Sequence, residues 1–214
     1  MSEATLRVDH EIIAGLVPPG SRVLDLGCGD GELLAHLIAH RSGRGLGVEI
    51  SDVGVRACIR RGVPVFHGDI DQGLSDHPDN AFDVVILSHT LQTVRNPKFV
   101  LEEMLRVGKQ AIVSFPNFGH WSVRTALMFG GRMPKTAMLQ YEWYDTPNIH
   151  MCTIRDFEVL CRDMNARILK QLPLASTGRY PVNSLKRKLS SLLPPMAIAN
   201  LVAPMAVFVL SKQD

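Results

Sequence analysis

The run Val23-Leu24-Asp25-Leu26-Gly27-Cys28-Gly29-Asp30-Gly31-Glu32 carries the strongest chemical signal in the chain: an apolar strand leads straight into a glycine turn and then a helix. Without a Cβ, glycine permits the tight turn and lets a ligand lie against the backbone, beside the positive end of the following helix. Two ligand classes use such a turn. A dinucleotide site wants Gly-x-Gly-x-x-Gly/Ala, with a pyrophosphate on the helix N-terminus. Here Glu32 takes the last position, and its carboxylate opposes a pyrophosphate. S-adenosylmethionine carries no phosphate and meets no such conflict. Asp25, on the strand just before the turn, suits that ligand's amino group, directly or through water. The pattern therefore points to S-adenosylmethionine held at Asp25, Gly27, Cys28 and Gly29.

Further along the chain stand the groups that such a ligand needs. Glu49, in Gly47-Val48-Glu49-Ile50, comes about twenty residues after the glycines, where an acid accepts hydrogen bonds from both ribose hydroxyls. Charge-assisted bonds of this kind contribute about 1.5–3 kcal/mol. Asp69, in His67-Gly68-Asp69-Ile70, is placed to accept from the adenine amino group, with Ile50 and Ile70 over the adenine faces. Core packing is an equally good role for Ile70. The run Leu87-Ser88-His89-Thr90-Leu91-Gln92 offers the backbone carbonyls of Ser88 and His89 to the methionine end. It lacks the Asn-Pro-Pro-Tyr pattern common in methylation of amide or exocyclic nitrogen, so that chemistry is disfavoured. A hydroxyl acceptor would want a base; His120, Tyr141 and Glu142 are candidates, each of which fits a self-packing lid better. No catalytic residue is fixed by sequence. His36 and His40 fall one helical turn apart, but Leu33, Leu34, Leu37 and Ile38 define the buried face and no third ligand is evident, so no metal is expected.

Positioning these groups requires an α/β frame. Short apolar runs alternate with amphipathic stretches, the pattern of a mostly parallel sheet covered by helices on both faces. Strands are expected at 22–26, 45–48, 65–67, 83–87, 110–115, 167–172 and 206–211, and helices at 6–16, 32–40, 52–61, 97–107 and 154–164. No clear crossover helix separates the last two strands, so the seventh is expected to return antiparallel between its neighbours. The whole, 1–214, reads as one Rossmann-like domain of the class I methyltransferase kind. Two stretches fall outside the alternation, 116–150 and 175–205; long irregular segments of this sort are usually lids or partner surfaces. Phe118, Trp121, Trp143 and Tyr144 make the first of these the expected partner surface.

Bulk properties narrow the function classes. With 23 Lys+Arg against 21 Asp+Glu, the charge gives no broad footprint for nucleic acid. The triplet Lys186-Arg187-Lys188 is read as a solvated helix face. Cys28, Cys58, Cys152 and Cys161 show no paired CxxC spacing and the N-terminus has no secretory layout, so a reducing cytoplasm is expected. The apolar stretch 192–210 is broken by Pro194, Pro195 and Pro204 and carries Asn200, so it reads as a buried helix and a core strand rather than a membrane span.

From Arg22-Val23-Leu24-Asp25-Leu26-Gly27-Cys28-Gly29 to Cys152-Thr153-Ile154-Arg155-Asp156-Phe157-Glu158 the sequence resembles the bacterial MetW family of methionine-biosynthesis proteins. The specific matches are Ser114-Phe115-Pro116-Asn117-Phe118-Gly119-His120-Trp121, Gly131-Arg132-Met133-Pro134 and Tyr141-Glu142-Trp143-Tyr144-Asp145-Thr146-Pro147-Asn148-Ile149-His150. The resemblance implies a methyltransferase-fold protein that works alongside homoserine O-acyltransferase. It becomes looser after Met164. At His89 the family pattern more often has glutamine, which argues against His89 as a required base. The chain is not itself an acyltransferase of the α/β-hydrolase kind, because no serine has glycine two residues away on both sides. Two functions follow: a regulatory partner of that acyltransferase that senses S-adenosylmethionine, or a methyltransferase acting on a small molecule.

Overall fold

The computed structural model describes residues 6–41, 44–136, 139–174 and 195–213. Seven strands, β1 (Arg22–Leu26), β2 (Arg44–Glu49), β3 (Val65–His67), β4 (Phe82–Ser88), β5 (Gly108–Pro116), β6 (Ala166–Leu174) and β7 (Met205–Lys212), form one sheet in the order β3-β2-β1-β4-β5-β7-β6. The first five pair in parallel. The last, β7, enters antiparallel between β5 and β6, with Ala111 opposite Leu210 on one side and Ala166 opposite Lys212 on the other. This is the topology expected from the sequence.

Strand composition explains which strands are central. In β1, Val23 to Leu26 are buried throughout, as are Val84 to Leu87 of β4 and Met205 to Leu210 of β7. Strands covered on both faces are apolar at every position rather than at alternate ones. Side chains still alternate between faces. Leu24, Val85, Leu87 and Val113 enter one core cluster, while Val23, Val84, Ile86 and Ile112 enter the other. The first core centres on Phe115 of β5, Phe208 of β7 and Phe157, whose ring centroids lie 4.7–5.7 Å apart. The second takes Ile13, Leu34 and Leu37 from the helices on its side.

The helices are α1 (Val8–Leu16), α2 (Glu32–His40), α3 (Asp52–Arg61), α4 (Pro97–Val107), α5 (Trp121–Gly130), α6 (Ile154–Asp163) and α7 (Pro195–Val202). Their starts are coded locally. The Ser51 side chain accepts from Gly54 N at α3, Asn96 caps α4 ahead of Pro97, and Thr153 and Asp156 form a reciprocal capping box at α6. The stretch 116–150 is irregular in sequence pattern, yet α5 lies within it, started by the His120 side chain and stopped by Gly131 at φ 58°. Only Val123 of α5 is buried, so its apolar residues do not form the one-sided stripe by which a helix is recognised. Residues 175–194, including Lys186-Arg187-Lys188, lie outside the described residues. Among the described residues no helix is long and apolar enough to cross a membrane.

One side chain fastens the C-terminal half to the sheet. Asn117, just past β5 and 2% exposed, donates through Nδ2 to the carbonyls of Asn200 (2.9 Å) and Ala203 (2.7 Å). Its Oδ1 accepts from Gly119 N (2.8 Å) and Ile154 N (3.3 Å). The end of β5 is thereby joined to the starts of α5 and α6 and to the end of α7. Truncation to Asn117→Ala strands buried backbone donors and acceptors, and a loss of about 2–4 kcal/mol is expected in urea unfolding. A loss within the noise of such a measurement would contradict the role given to Asn117.

Candidate functional site

The strand order turns back on itself between β1 and β4, and the carboxyl ends of β1, β2 and β4 open there into the crevice where doubly wound sheets bind ligands. The glycine turn after β1 forms its floor. Gly27 N and Cys28 N both donate to the carbonyl of Val48, at 2.8 and 3.2 Å, which docks the turn on the end of β2. Gly27 is obligatory on two counts: its φ is 68°, and a Cβ there would fall 2.7 Å from the Thr90 side chain. Gly29, at φ 59°, differs in that a Cβ would meet nothing within 4 Å. That open space is where a ligand can approach the turn. The Cys28 side chain packs against Cys58, with its Sγ 3.7 Å from Cys58 Sγ. Burial raises its thiol far above the usual range, which disfavours the reactive thiolate.

Glu49, at the end of β2, is held by two backbone donors. Its Oε2 accepts from Gly29 N at 2.8 Å and its Oε1 from Ser51 N at 2.8 Å. A carboxylate has about four acceptor positions, so roughly two stay open for a ligand's paired hydroxyls. Gly54 makes room for this side chain, since a Cβ there would lie 2.8 Å from Glu49 Cγ. Asp25 is only 3% exposed. Burial, with a smaller contribution from the charge of Glu49, pushes its carboxyl up to about 7. An ammonium group beside it would stabilise the ionised form.

The other expected residues divide. Asp69 caps the 3₁₀ turn Ile70–Gln72 by accepting from Asp71 N at 3.0 Å. Ile50 is 63% exposed at the crevice rim, whereas Ile70 is 9% exposed and packs with Leu24, Val48 and Leu101 in the first core. The Ser88 carbonyl accepts from Thr90 Oγ1 at 3.0 Å, and Ser88 Oγ lies 3.1 Å from Ser114 Oγ. His89 has a positive φ of 55° and donates its backbone N–H to the carbonyl of Ser114. His120 is committed to the frame: its Nδ1 accepts from Ser122 N, and its ring also bonds the backbone at Val202. Glu142 pairs with Lys135 at 2.8 Å, and Tyr141 is exposed. Among the described residues no hydrogen bond or ion pair joins these three to the glycine turn. His36 and His40 stack on each other at 4.5 Å.

A polar cluster under α1 escaped the sequence reading. Asp9 and His10 are both buried. Arg7 donates to both carboxylate oxygens of Asp9, His10 Nδ1 lies 3.2 Å from Glu32 Oε2, and His89 Nε2 lies 3.4 Å from Asp9 Oδ2. Burial works to raise Asp9, but Arg7 and the two histidines outweigh it and hold the carboxyl below the usual range. The only trace of this in the sequence is the Asp9-His10 pair in the first turn of α1, beside Glu11.

A different surface lies at 121–151. There Trp121, Met128, Phe129, Tyr141, Trp143 and Tyr144 are all exposed. The end of this segment is fastened to the loop after β4 by Ile149 N and His150 N, which donate to the carbonyl of Gln92 at 2.8 and 3.1 Å.

Residues 7–210 match the family model described as methionine biosynthesis protein MetW. Over 176 residues, 78% of the chain, the sequence is 42% identical to the bifunctional methionine biosynthesis protein MetXA/MetW of Rhodopirellula baltica. That match covers 28% of the relative's own length. Other curated relatives, ribosomal protein L11 methyltransferases, are matched over 33% of theirs. Among solved structures, an S-adenosylmethionine-dependent methyltransferase from Mesorhizobium loti superposes with a TM-score of 0.68 at 14% identity, covering 96% of this chain and 98% of that one. The [4+2]-cyclase SpnF superposes at 0.62 and 20% identity, covering 95% and 80%. These neighbours establish a Rossmann-like methyltransferase fold, and the cyclase among them shows that the fold does not dictate one reaction.

The acid pair sets a pH dependence. Folding lifts Asp25 from 3.8 to about 7, so between those values the folded chain keeps a proton that the unfolded chain has released. The stability from this group is fully present below about pH 4 and is lost as pH rises through about 7. Asp25→Asn stays neutral. Urea unfolding of the ligand-free proteins should therefore show Asp25→Asn gaining a few kcal/mol on the parent between about pH 4 and 8. Equal pH slopes for the two would contradict this assignment.

Proposed function

The chain belongs to the family of methionine biosynthesis protein MetW, and on that premise we propose that it binds S-adenosylmethionine in the β1–β2–β4 crevice and regulates a homoserine O-acyltransferase with which it associates. The observation that carries this reading is the fit of the crevice. The space over Gly29 is open, Glu49 keeps unused acceptor positions for a ribose diol, and buried Asp25 lacks a counter-charge. In this assignment Gly27, Cys28 and Gly29 supply backbone, Asp69 and Ile50 hold the adenine, Ile70 supports it from the core, and the Ser88 and His89 carbonyls face the methionine end. When bound, the ligand brings an activated methyl group and a chemical report of methionine supply.

Support for a partner comes from a relative whose name joins MetXA to MetW in one bifunctional chain, together with the acyltransferase implied by the sequence resemblance. The exposed aromatic surface at 121–151 has the anchors that protein interfaces favour and exceeds the scattered apolar exposure of an ordinary surface. Control of the acyltransferase requires unequal ligand affinity in the free and complexed chain, since equal affinity shifts nothing. The tie between the aromatic segment and the loop after β4 gives a physical route for such coupling.

Purified homoserine O-acyltransferase should co-purify with this chain, change its rate on addition of the chain, and change again with S-adenosylmethionine. Glu49→Gln should need roughly 10- to 100-fold more ligand for the second change while leaving co-purification intact. The double variant Phe129→Asp, Trp143→Asp should do the reverse, losing co-purification but binding ligand as before. No association and no change in rate would remove the regulatory reading.

A further inference from the structure

His89 stands outside the groups that the nucleotide reading uses, apart from its carbonyl. It follows the end of β4, where Leu87 pairs with Leu26 next to the glycine turn, and its neighbour Thr90 packs on Gly27. Its φ of 55° is unfavourable for a residue with a Cβ, and such conformations persist where the surroundings fix them, often at functional sites. This conformation turns the imidazole toward α1. Its Nε2 is fully enclosed and lies 3.4 Å from Asp9 Oδ2, without the geometry of a formed hydrogen bond. Yet 26% of the side chain remains accessible, so the open part of the ring is its other side. The charged and titratable groups around it are Arg7 just before α1, Asp9 and His10 on α1 and, through His10, Glu32 on α2. Asp9 has no freedom of its own, because Arg7 holds both its oxygens.

A carboxylate facing one imidazole nitrogen fixes the tautomer and leaves the lone pair on the other, the logic by which an acid orients a general base. Catalytic hydrogen bonds of this type are often long before substrate binds. We infer that His89 is a catalytic proton acceptor for a small acceptor bearing an acidic hydroxyl, a phenol or enol, and that Asp9 is the residue that positions it by keeping the proton on Nε2.

The inference rests on S-adenosylmethionine occupying the crevice as methyl donor. The acceptor hydroxyl gives its proton to His89 Nδ1 as its oxygen forms the new O–CH3 bond. The methyl–sulfur bond breaks with its electron pair going to sulfur, leaving a methyl ether and S-adenosylhomocysteine. His89 then returns the proton to water. Burial lowers the affinity of His89 for a proton, so it is neutral and ready at pH 7. A base of that strength matches an acidic hydroxyl better than an ordinary alcohol.

The test uses the full chain, methyl-labelled S-adenosylmethionine and a series of ring-substituted phenols of graded acidity, with binding of S-adenosylmethionine measured alongside. Label should reach the more acidic phenols. With S-adenosylmethionine supplied to saturate each protein by its own measured Kd, His89→Gln should lower transfer by roughly 100-fold or more. Nitrogen NMR of the unaltered protein should find His89 neutral at pH 7 with its proton on Nε2, and Asp9→Asn should mix the tautomers. A chain that binds S-adenosylmethionine but labels no phenol, transfer unchanged in His89→Gln, or a proton on Nδ1 would each overturn the inference and leave the nucleotide reading standing. Failure to bind S-adenosylmethionine would overturn both.

Discussion

Two carboxylates of like charge share the crevice, and the rest of the local structure is arranged around keeping them there. Glu49 is held by two backbone N–H groups, Gly29 and Ser51, which offset its burial. Asp25 has no such compensation and is driven toward its neutral form. A group that is costly in the free chain and ready to pair with a cation is characteristic of a binding site, where strained or unsatisfied groups are tolerated. The glycines follow from the same constraint. Gly29 must bring its N–H to Glu49, and Gly54 must leave room beside that side chain.

The sheet supplies the rigidity that this arrangement needs. Strands β1, β4 and β5 are buried on both faces, and β7 inserts between β5 and β6, so the crevice lies beside the best-packed part of the fold. The C-terminal helices and the aromatic segment are fastened at the ends of β4 and β5. Asn117 gathers α5, α6 and α7 at the end of β5, and Gln92 receives the end of the aromatic segment beside the β4 loop. A ligand in the crevice and a partner on the aromatic surface would thus meet through the loops after β4 and β5. This is a packed, hydrogen-bonded connection, and coupling of sites requires such a connection to exist in two arrangements.

What was legible in the sequence was whatever local chemistry decides. The glycine turn, the acids at the ends of β1, β2 and β3, and the capped helices α3, α4 and α6 are written in consecutive residues. The antiparallel return of β7 was also expected, although the helix α7 does stand between β6 and β7. Ile70 shows the limit: an isoleucine after a strand suits an adenine face or a core equally, and only its packing against Leu24 and Leu101 shows how deeply it is committed to the core. Helix α5 was missed because its apolar residues point outward. The Asp9–His89 pair was missed because it joins residues eighty positions apart, brought together by α1 folding over the end of β4.

The central claim is that the buried acid pair is the seat of a cationic adenosyl ligand, and proton-resolved calorimetry addresses it directly. S-adenosylmethionine would be titrated into the folded chain near pH 6, where Asp25 is largely protonated, in buffers of different ionisation enthalpy. The account predicts one-site binding whose heat changes with the buffer, because the ligand's ammonium displaces the Asp25 proton. Absence of any binding heat from well-folded protein would contradict it.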